Sequence, residues 1–266
     1  MGASSGTRRP THRLSRVVLL FLLWCSLWGS GCMPGVLLPE HDILRDVHIR
    51  GLETRPTVAL TFDDGPNGRC TEEVLDALAE SGAPATFFVL GANVATGLND
   101  HALGRMVREG HAIGIHSYDH SVRRQFLHML IEPDLRRALD AVAASLRRAG
   151  ITDPPAVRYY RPPFGFLTAP AARTAAELGM VVVEWTVSER DWQRGREAGE
   201  LTAAILARVR PGDVIVLHDG FGTHQRSIAS CTDRAVVPEV IRRLVPALRE
   251  HGLRPTPLAE VLGLPG

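Results

Sequence analysis

The stretch Thr57-Val-Ala-Leu-Thr-Phe-Asp-Asp-Gly-Pro-Asn67 decides how this 266-residue chain is organised. Its apolar residues 58–62 end at two adjacent carboxylates, Asp63 and Asp64, and a Gly-Pro turn follows, which predicts a buried strand stopping abruptly. Adjacent side chains on a strand point to opposite faces, so one carboxylate can bind a metal while the other serves as a base. Taken alone, the stretch is explained equally well by an Asp-Gly turn with solvated acids.

Apolar strand-like segments alternate with amphipathic helical ones along the rest of the chain. Further strands are predicted at 85–90, 112–115, 157–160, 180–185, 214–217 and 253–256. Helices are predicted from a cap at Thr71, around Leu103 and Met106, and at 133–149, 169–178, 201–209 and 236–250. Strands that are apolar throughout imply parallel pairing with both faces covered. About seven such units favour an α/β fold of the distorted (β/α) barrel type over an open doubly wound sheet.

Composition describes an ordinary globular protein. The formal net charge is +1 and hydrophobic residues make up 45% of the chain, so no broad basic surface predicts a nucleic-acid partner. The length suits one large domain or two small ones. The oligomeric state stays open.

The first 32 residues have the layout of a secretory signal. Four arginines precede the apolar run 17–27, and small residues lead to Cys32. Cys32 resembles a lipoprotein lipidation site, with Gly29 where leucine is usual, and a retained membrane anchor is the alternative. We therefore expect a signal at 1–32, a lead-in or linker at 33–56 and a catalytic domain at 57–264. The protein would be exported to the periplasm, cell envelope or extracellular space, with membrane contact only through the signal or a lipid on Cys32.

Two imidazoles four residues apart, His116 and His120, follow the strand 112–115. On one helical turn they would face the same side and could hold a metal ion with Asp64. Such ligands suit Zn²⁺, and Co²⁺, Ni²⁺ or Mn²⁺ would also fit. By itself the His-x-x-x-His spacing is more often a solvated or capping pair.

Five ordered segments resemble the motifs of the polysaccharide deacetylases, the carbohydrate esterase family of chitin, xylan, peptidoglycan and chito-oligosaccharide deacetylases. They are Thr61-Phe-Asp-Asp-Gly-Pro66, His116-Ser-Tyr-Asp-His120, Arg161-Pro-Pro-Phe164, Asp191-Trp192 and Val216-Leu-His218. The resemblance covers residues 57–262 and implies a metal-dependent hydrolase on a distorted (β/α) barrel. It implies that Asp64, His116 and His120 hold the metal.

The resemblance also implies catalytic roles. Asp63 would be the general base for the attacking water, and His218 the general acid for the departing amine. Arg161 would orient Asp63, although a purely structural salt bridge would have the same geometry. The backbone N–H of Phe164 would stabilise the oxyanion. Asp191 would pair with either His218 or Arg161.

The remaining candidate residues would line a pocket for the acetyl group or join the loops that surround the site. Trp192 and Val216 would line a small apolar pocket for the acetyl methyl, although each would also fit plain core. Ser188 and Val216 stand where many family members have aspartate and leucine, which bears on substrate choice. Cys70 and Cys231 follow the first and sixth predicted strands, so a disulfide could join their loops if these share one rim.

The leading functional prediction is removal of N-acetyl groups from a GlcNAc-containing glycan, namely peptidoglycan, chito-oligosaccharide or poly-N-acetylglucosamine. An O-acetyl xylan esterase, a non-catalytic glycan-binding protein and a small-molecule deacylase are the alternatives. Because the barrel uses nearly all residues after Thr57, substrate choice is expected to rest on the loops 190–199 and 221–234.

Overall fold

The computed structural model describes residues 47–121, 124, 128–222, 231 and 234–265. The strands within these residues are β1 (Val47–His48), β2 (Thr57–Asp63), β3 (Thr86–Val89), β4 (Ala112–Ile115), β5 (Tyr159–Tyr160), β6 (Val181–Val183), β7 (Val187–Ser188), β8 (Val214–His218) and β9 (Arg254–Pro255). The helices are α1 (Arg69–Ser81), α2 (Gly91–Ala95), α3 (Asp100–Arg108), α4 (His128–Arg148), α5 (Ala169–Glu177), α6 (Ala198–Leu206), α7 (Val236–Glu250) and α8 (Leu258–Leu262).

Every strand pair among these elements is parallel. The order along the sheet is β1-β6-β5-β4-β3-β2-β8-β7, and β9 adds to the start of β2. Helices cover the sheet, which has the form of a half-barrel, so the predicted (β/α) barrel-like fold is confirmed. Within the described residues the sheet has nine strands instead of about seven, because β1 and β7 lie in segments that contain no run of apolar residues.

Strand β2 lies inside the sheet, between β3 and β8, and all seven of its residues are buried. Its last residue, Asp63, is in register with His218 at the end of β8. Ile115 and Tyr160 are likewise in register, so His116 and Arg161 follow the ends of neighbouring strands. Parallel pairing therefore gathers the polar groups at one edge of the barrel, the carboxyl end where such folds hold their active sites.

The two faces of the sheet are filled differently. The larger apolar cluster joins the sheet to the surrounding helices and includes Phe62, Phe87 and Leu244. A smaller cluster contains Ala59, Phe88, Tyr159, Val183 and Val214 together with Leu258, Val261 and Leu262 of α8. Because α8 packs against residues at the starts of β2 and β8, apolar groups occupy that part of the barrel, and the polar site is left at the strand ends.

Two local predictions about the site segments are wrong. Helix α1 begins at Arg69, so Thr71 is inside its first turn and does not cap it; its hydroxyl donates instead to Asp219 Oδ2 at 2.5 Å. His116 and His120 do not lie on a helical turn. The segment after β4 is irregular, with Ser117 at φ 76° and His120 at φ 59°, and this bend brings the imidazoles together.

The segment expected to be an irregular lead-in contains β1, whose Val47 and His48 pair with Val182 and Val183. Residues 1–46 lie outside the described part of the chain, and with them the predicted signal and Cys32. Of the helices that are described, none combines the length and apolar character needed to cross a bilayer.

Candidate active site

Asp64, His116 and His120 form the one group of potential metal ligands found in the described residues. Asp64 Oδ1 lies 3.3 Å from His120 Nε2 and 3.7 Å from His116 Nε2. Tetrahedral zinc with bonds of about 2.0–2.1 Å separates its ligand atoms by roughly 3.4 Å. The two distances from Asp64 therefore suit one such ion, and all three ligand atoms lie within 4.8 Å of one another.

The chemistry of the three side chains also fits a cation. Asp64 Oδ1 is buried and has no hydrogen-bond partner among the described residues. His116 Nδ1 lies 2.8 Å from the carbonyl oxygen of Arg161, an acceptor, so Nδ1 carries the proton and Nε2 keeps its lone pair. Burial, then the charge of nearby His120, lowers the pKa of His116 to about 3 against the attraction of Asp64. Neutral imidazole is the form that binds metal.

Asp63, the predicted base, is 2% exposed and paired with Arg161, which is fully buried. Arg161 Nη1 donates to Asp63 Oδ1 at 2.7 Å, while Asp63 Oδ2 lies 3.9 Å from His116 Nε2. A single guanidinium nitrogen contacts the carboxylate. One carboxylate oxygen is thus held by Arg161, and the other is directed to the metal-ligand cluster.

The rest of the Arg161 guanidinium is fixed by the barrel wall. Its Nη1 also donates to Thr61 Oγ1 at 2.8 Å, Nε donates to the carbonyl of Val183 at 3.0 Å, and Nη2 to the carbonyl of Glu184 at 3.1 Å. The Phe88 ring lies 4.0 Å from the guanidinium carbon. A lysine could not make these divergent contacts, so the site requires the planar fork of arginine.

Asp191 pairs with His218 and not with Arg161, the alternative that the sequence left open. His218 Nδ1 lies 2.9 Å from Asp191 Oδ1, and the His218 backbone N–H donates to Asp191 Oδ2 at 2.8 Å. Burial alone would lower the pKa of His218, but the charge and hydrogen bond of Asp191, then the charges of Asp64 and Asp63, raise it to about 9. The imidazole is therefore protonated at neutral pH, as a general acid must be.

Backbone strain is concentrated at this edge. In the described residues, five non-glycine residues have positive φ, and three of them are Asp64 (73°), His120 (59°) and Phe164 (62°). The left-handed conformation costs an L-residue roughly 1–3 kcal/mol. Phe164 lies in the turn 163–165 after β5, and its ring meets the His120 ring edge-on at 4.3 Å. The residue predicted to supply the oxyanion N–H is thus adjacent to a predicted metal ligand.

The loop carrying Asp64 is held by groups that sequence reasoning missed. Asn93 Nδ2 donates to the carbonyl of Asp64 at 3.0 Å. Gly220 approaches the same carbonyl so closely that a Cβ there would lie 2.1 Å from it. The carboxylate of Asp219 packs against Gly65, where a Cβ would meet it at the same distance. Gly65 and Gly220 are therefore required by close packing, since a side chain at either position would collide with the neighbouring loop.

Glu184 is a second group that the sequence did not identify as functional. It is fully buried, and neither carboxylate oxygen has a hydrogen-bond partner in the described residues. Burial raises its pKa to about 7, with the Arg161 charge opposing and the Asp63 charge adding to the shift. One oxygen lies beneath the Phe164 turn, 3.3 Å from where a Cβ of Gly165 would be. Sequence reasoning missed Glu184 because it lies in the apolar run 180–185, where a single acid forms no recognisable motif.

The remaining predicted site residues divide between rim and core. The Trp192 ring is 40% exposed and meets the His218 ring edge-on at 4.9 Å. Val216 is 2% exposed and lies two residues before His218 on β8, in register with Ser188. Cys70 and Cys231 are joined by a disulfide, with their Cα atoms 4.5 Å apart. The loops after β2 and β8 thus share one rim.

A half-barrel with a carboxylate–imidazole metal cluster, a buried base candidate and a protonated imidazole is the arrangement of a hydrolase. Comparison with known proteins agrees. A family model described as "Polysaccharide deacetylase" matches residues 51–183. The chitooligosaccharide deacetylase of Sinorhizobium fredii is 38% identical over 216 residues, which are 81% of this chain and 95% of that protein. The chain therefore belongs to the polysaccharide deacetylase family.

Two further similarities come from peptidoglycan enzymes. A peptidoglycan-N-acetylglucosamine deacetylase of Bacillus cereus is 31% identical over 204 residues, covering 77% of this chain and 67% of that protein. A crystal structure of a peptidoglycan N-acetylglucosamine deacetylase with a bound N-hydroxybenzamide has a TM-score of 0.71 at 25% identity. The match covers 83% of this chain and 94% of that one. Family membership identifies the chain as a deacetylase hydrolase.

Proposed function

We propose that this protein is an exported, metal-dependent hydrolase that removes N-acetyl groups from a GlcNAc-containing glycan. The observation that carries the proposal is the placement of the Asp64–His116–His120 cluster beside two acid–base candidates, Asp63 and His218. Relatives named for chito-oligosaccharide and peptidoglycan N-acetylglucosamine substrates support the N-acetyl assignment.

A divalent cation held by the three ligands would lower the pKa of a bound water and polarise the acetyl carbonyl. Zn²⁺ is the first choice, and Co²⁺, Ni²⁺ or Mn²⁺ would suit the same donors. Asp63, fixed by Arg161, takes a proton from the attacking water through its Oδ2 atom. The backbone N–H of Phe164 donates to the oxygen on which negative charge develops. His218, kept protonated by Asp191, gives its proton to the departing nitrogen. Trp192 and Val216 are proposed to wall the acetyl methyl.

An O-acetyl esterase acting on xylan is the second candidate within the same chemistry. A non-catalytic glycan-binding protein is disfavoured, because binding alone does not require a buried base–arginine pair opposite a protonated imidazole. The need for the general acid distinguishes the N-deacetylase from the O-acetyl esterase. An amine leaving group needs the proton of His218, whereas an alkoxide leaving group depends on that proton less.

Acetate release from chito-oligosaccharide, peptidoglycan and acetylated xylan tests the proposal. We expect the full chain to release acetate from an N-acetylated glycan, to lose activity with a chelator and to regain it with added Zn²⁺. Asp63→Asn should reduce kcat by about 10²–10⁴-fold, the usual contribution of a general base. No release from any polymer by folded, zinc-loaded protein would overturn the proposal.

Export is supported by the arginine-led apolar segment at the start of the sequence and by the Cys70–Cys231 disulfide, which persists in oxidising compartments. Fractionation of cells producing the full chain, with mass measurement of its N-terminus, distinguishes a cleaved signal from lipidation at Cys32. Recovery of the uncleaved chain in the cytoplasm would contradict export.

A further inference from the structure

The segment 116–120, which joins the two histidine ligands, has an unfavourable backbone. Ser117 at φ 76° and His120 at φ 59° are both left-handed, a conformation that L-residues keep only where their surroundings impose it. No helix or strand includes these residues. Contacts from other parts of the chain must therefore hold the segment for its two imidazoles to meet Asp64.

Main-chain hydrogen bonds hold part of the segment. The carbonyls of Ser117 and Tyr118 accept from the N–H groups of Gly91 at 3.1 Å and Ala92 at 2.7 Å, at the start of α2. Within the segment, the N–H of His120 donates to Ser117 Oγ at 2.9 Å. The N–H of Tyr118, midway between the two histidines, bonds to a side chain instead.

That side chain is Asp134, on the first half of α4. Asp134 is 2% exposed, and its Oδ2 atom accepts the Tyr118 N–H at 2.9 Å. Its Oδ1 atom is buried and has no hydrogen-bond partner in the described residues, although Arg124 Nη1 lies 3.6 Å from it. The main contact of this carboxylate is thus the peptide between the two metal ligands.

Burying this carboxylate is costly for the fold. Burial raises the pKa of Asp134 to about 6; the Tyr118 hydrogen bond opposes the rise, the Asp119 charge adds to it, and the charges of Arg124 and Arg137 oppose it. A leucine would fill a similar volume without this cost, but it would leave the Tyr118 N–H without its acceptor. The position therefore requires an acceptor more than it requires a charge.

Helix α4 holds the Tyr118 side chain as well. The guanidinium carbon of Arg137 lies 3.7 Å from the centre of the Tyr118 ring, and Arg137 follows Asp134 by three residues, on the same side of the helix. On α2, Gly91 lies so close that a Cβ there would be 2.7 Å from the ring. The peptide and the ring of Tyr118 are therefore both fixed from outside the segment.

We propose that Asp134 is a positioning residue for the metal centre, which it serves by holding the Tyr118 peptide so that His116 and His120 stay within reach of Asp64. It rests on the proposed metal-dependent function. Asp134 touches neither substrate nor the reacting atoms and acts through the segment 116–120. Ligands held in place beforehand bind a metal more tightly, because binding then orders less of the chain.

The affinity of the full chain for Zn²⁺, measured by competition with a chromophoric chelator, tests the role of Asp134. Asp134→Leu should raise the Kd by about 10–100-fold, the usual effect of losing a group that orients a metal ligand. Asp134→Asn keeps an acceptor for the Tyr118 N–H, so its Kd should stay close to that of the wild type. Asp140→Leu, which replaces an exposed carboxylate on the same helix, is the matched control.

Circular dichroism and thermal melting in the presence of chelator establish that each variant is folded. An unchanged Kd in folded Asp134→Leu would overturn the proposal. So would an equal loss in Asp134→Asn, because the charge and not the hydrogen bond would then matter. A wild-type chain that binds no Zn²⁺ would instead overturn the metal-dependent function.

Amide hydrogen exchange of the wild-type protein tests the same contact without any variant. The Tyr118 amide should be protected in chelator-treated protein, because its acceptor is a buried carboxylate that needs no metal. Free exchange of this amide in otherwise folded protein would contradict the proposal, even if Asp134→Leu fails to fold.

Discussion

His218 Nδ1 lies 2.9 Å from Asp191 Oδ1, and the same aspartate accepts the backbone N–H of His218 through its other oxygen. Both carboxylate oxygens are therefore committed to one histidine. The Asp191 carboxylate thus fixes the orientation of the His218 imidazole and keeps it protonated. In the folded protein the pKa of His218 is about 9, above its ordinary value of 6.5. The contribution of the Asp191–His218 pair to the stability of the fold is therefore fully present below pH 6.5 and is lost as the pH rises through about 9.

Asp191→Asn should shift the alkaline limb of the kcat/KM profile to lower pH. The wild-type limb is expected near pH 9, and loss of the Asp191 charge moves the pKa of His218 toward or below 6.5. At pH 8 we expect a loss of about ten-fold or more on an N-acetyl substrate. Glu189→Gln, which removes an acid paired with Arg208 on the surface, serves as the control. An unchanged limb in Asp191→Asn would show that another group sets it.

Arg161→Met should strongly destabilise the fold. Removing the guanidinium leaves Asp63 buried without its cation, which typically costs about 3–5 kcal/mol in the free energy of unfolding. The Asp63→Asn, Arg161→Met double variant should lose less than the sum of the two single variants, because the uncompensated charge is then absent. Urea unfolding measures all three, with Arg158→Met, an exposed neighbour, as the reference. Strictly additive losses would show that the two residues are energetically independent.

Zn²⁺ should stabilise the wild-type protein. A ligand at one hundred times its dissociation constant adds about 2.7 kcal/mol to the free energy of unfolding. Asp64→Asn and His120→Gln should abolish most of this gain, while His101→Gln, an exposed histidine paired with Glu72, should retain it. Calorimetric unfolding with and without chelator reads the effect independently of activity. Equal gains in all four proteins would place the ion elsewhere.

Glu184→Gln should stabilise the protein at high pH. The pKa of Glu184 is raised from 4.5 to about 7, so the unfolded chain loses its proton first and the free energy of unfolding falls between these values. Glutamine removes that penalty, giving up to roughly 3 kcal/mol above pH 7 and little difference below pH 4.5. Glu132→Gln on the surface is the control. Wild-type and Glu184→Gln stability curves that run parallel from pH 4 to 9 would contradict the assignment.

Much of the fold follows from local pattern. The bounds of strand β4 (112–115) and helix α7 (236–250) were predicted to the residue. The short apolar run between polar turns identifies the strand, and the long amphipathic period identifies the helix. Strands β1 and β7 could not be predicted, since pairing with a neighbour defines them and their segments contain no run of apolar residues. The prediction that Thr71 caps helix α1 was wrong for a related reason: the Thr71 hydroxyl donates to Asp219, which lies 148 residues away along the chain.

The sequence by itself determined a parallel α/β fold and the metal-ligand candidates, because periodicity and residue type are local properties. Only the tertiary structure decided that Asp191 pairs with His218, that Arg161 reaches the backbone at the end of β6, and that Glu184 lies buried near both Arg161 and the Phe164 turn. These relationships join strand ends that are distant along the chain. Their distances and burial, which set the pKa of each group, depend on how the parallel strands align.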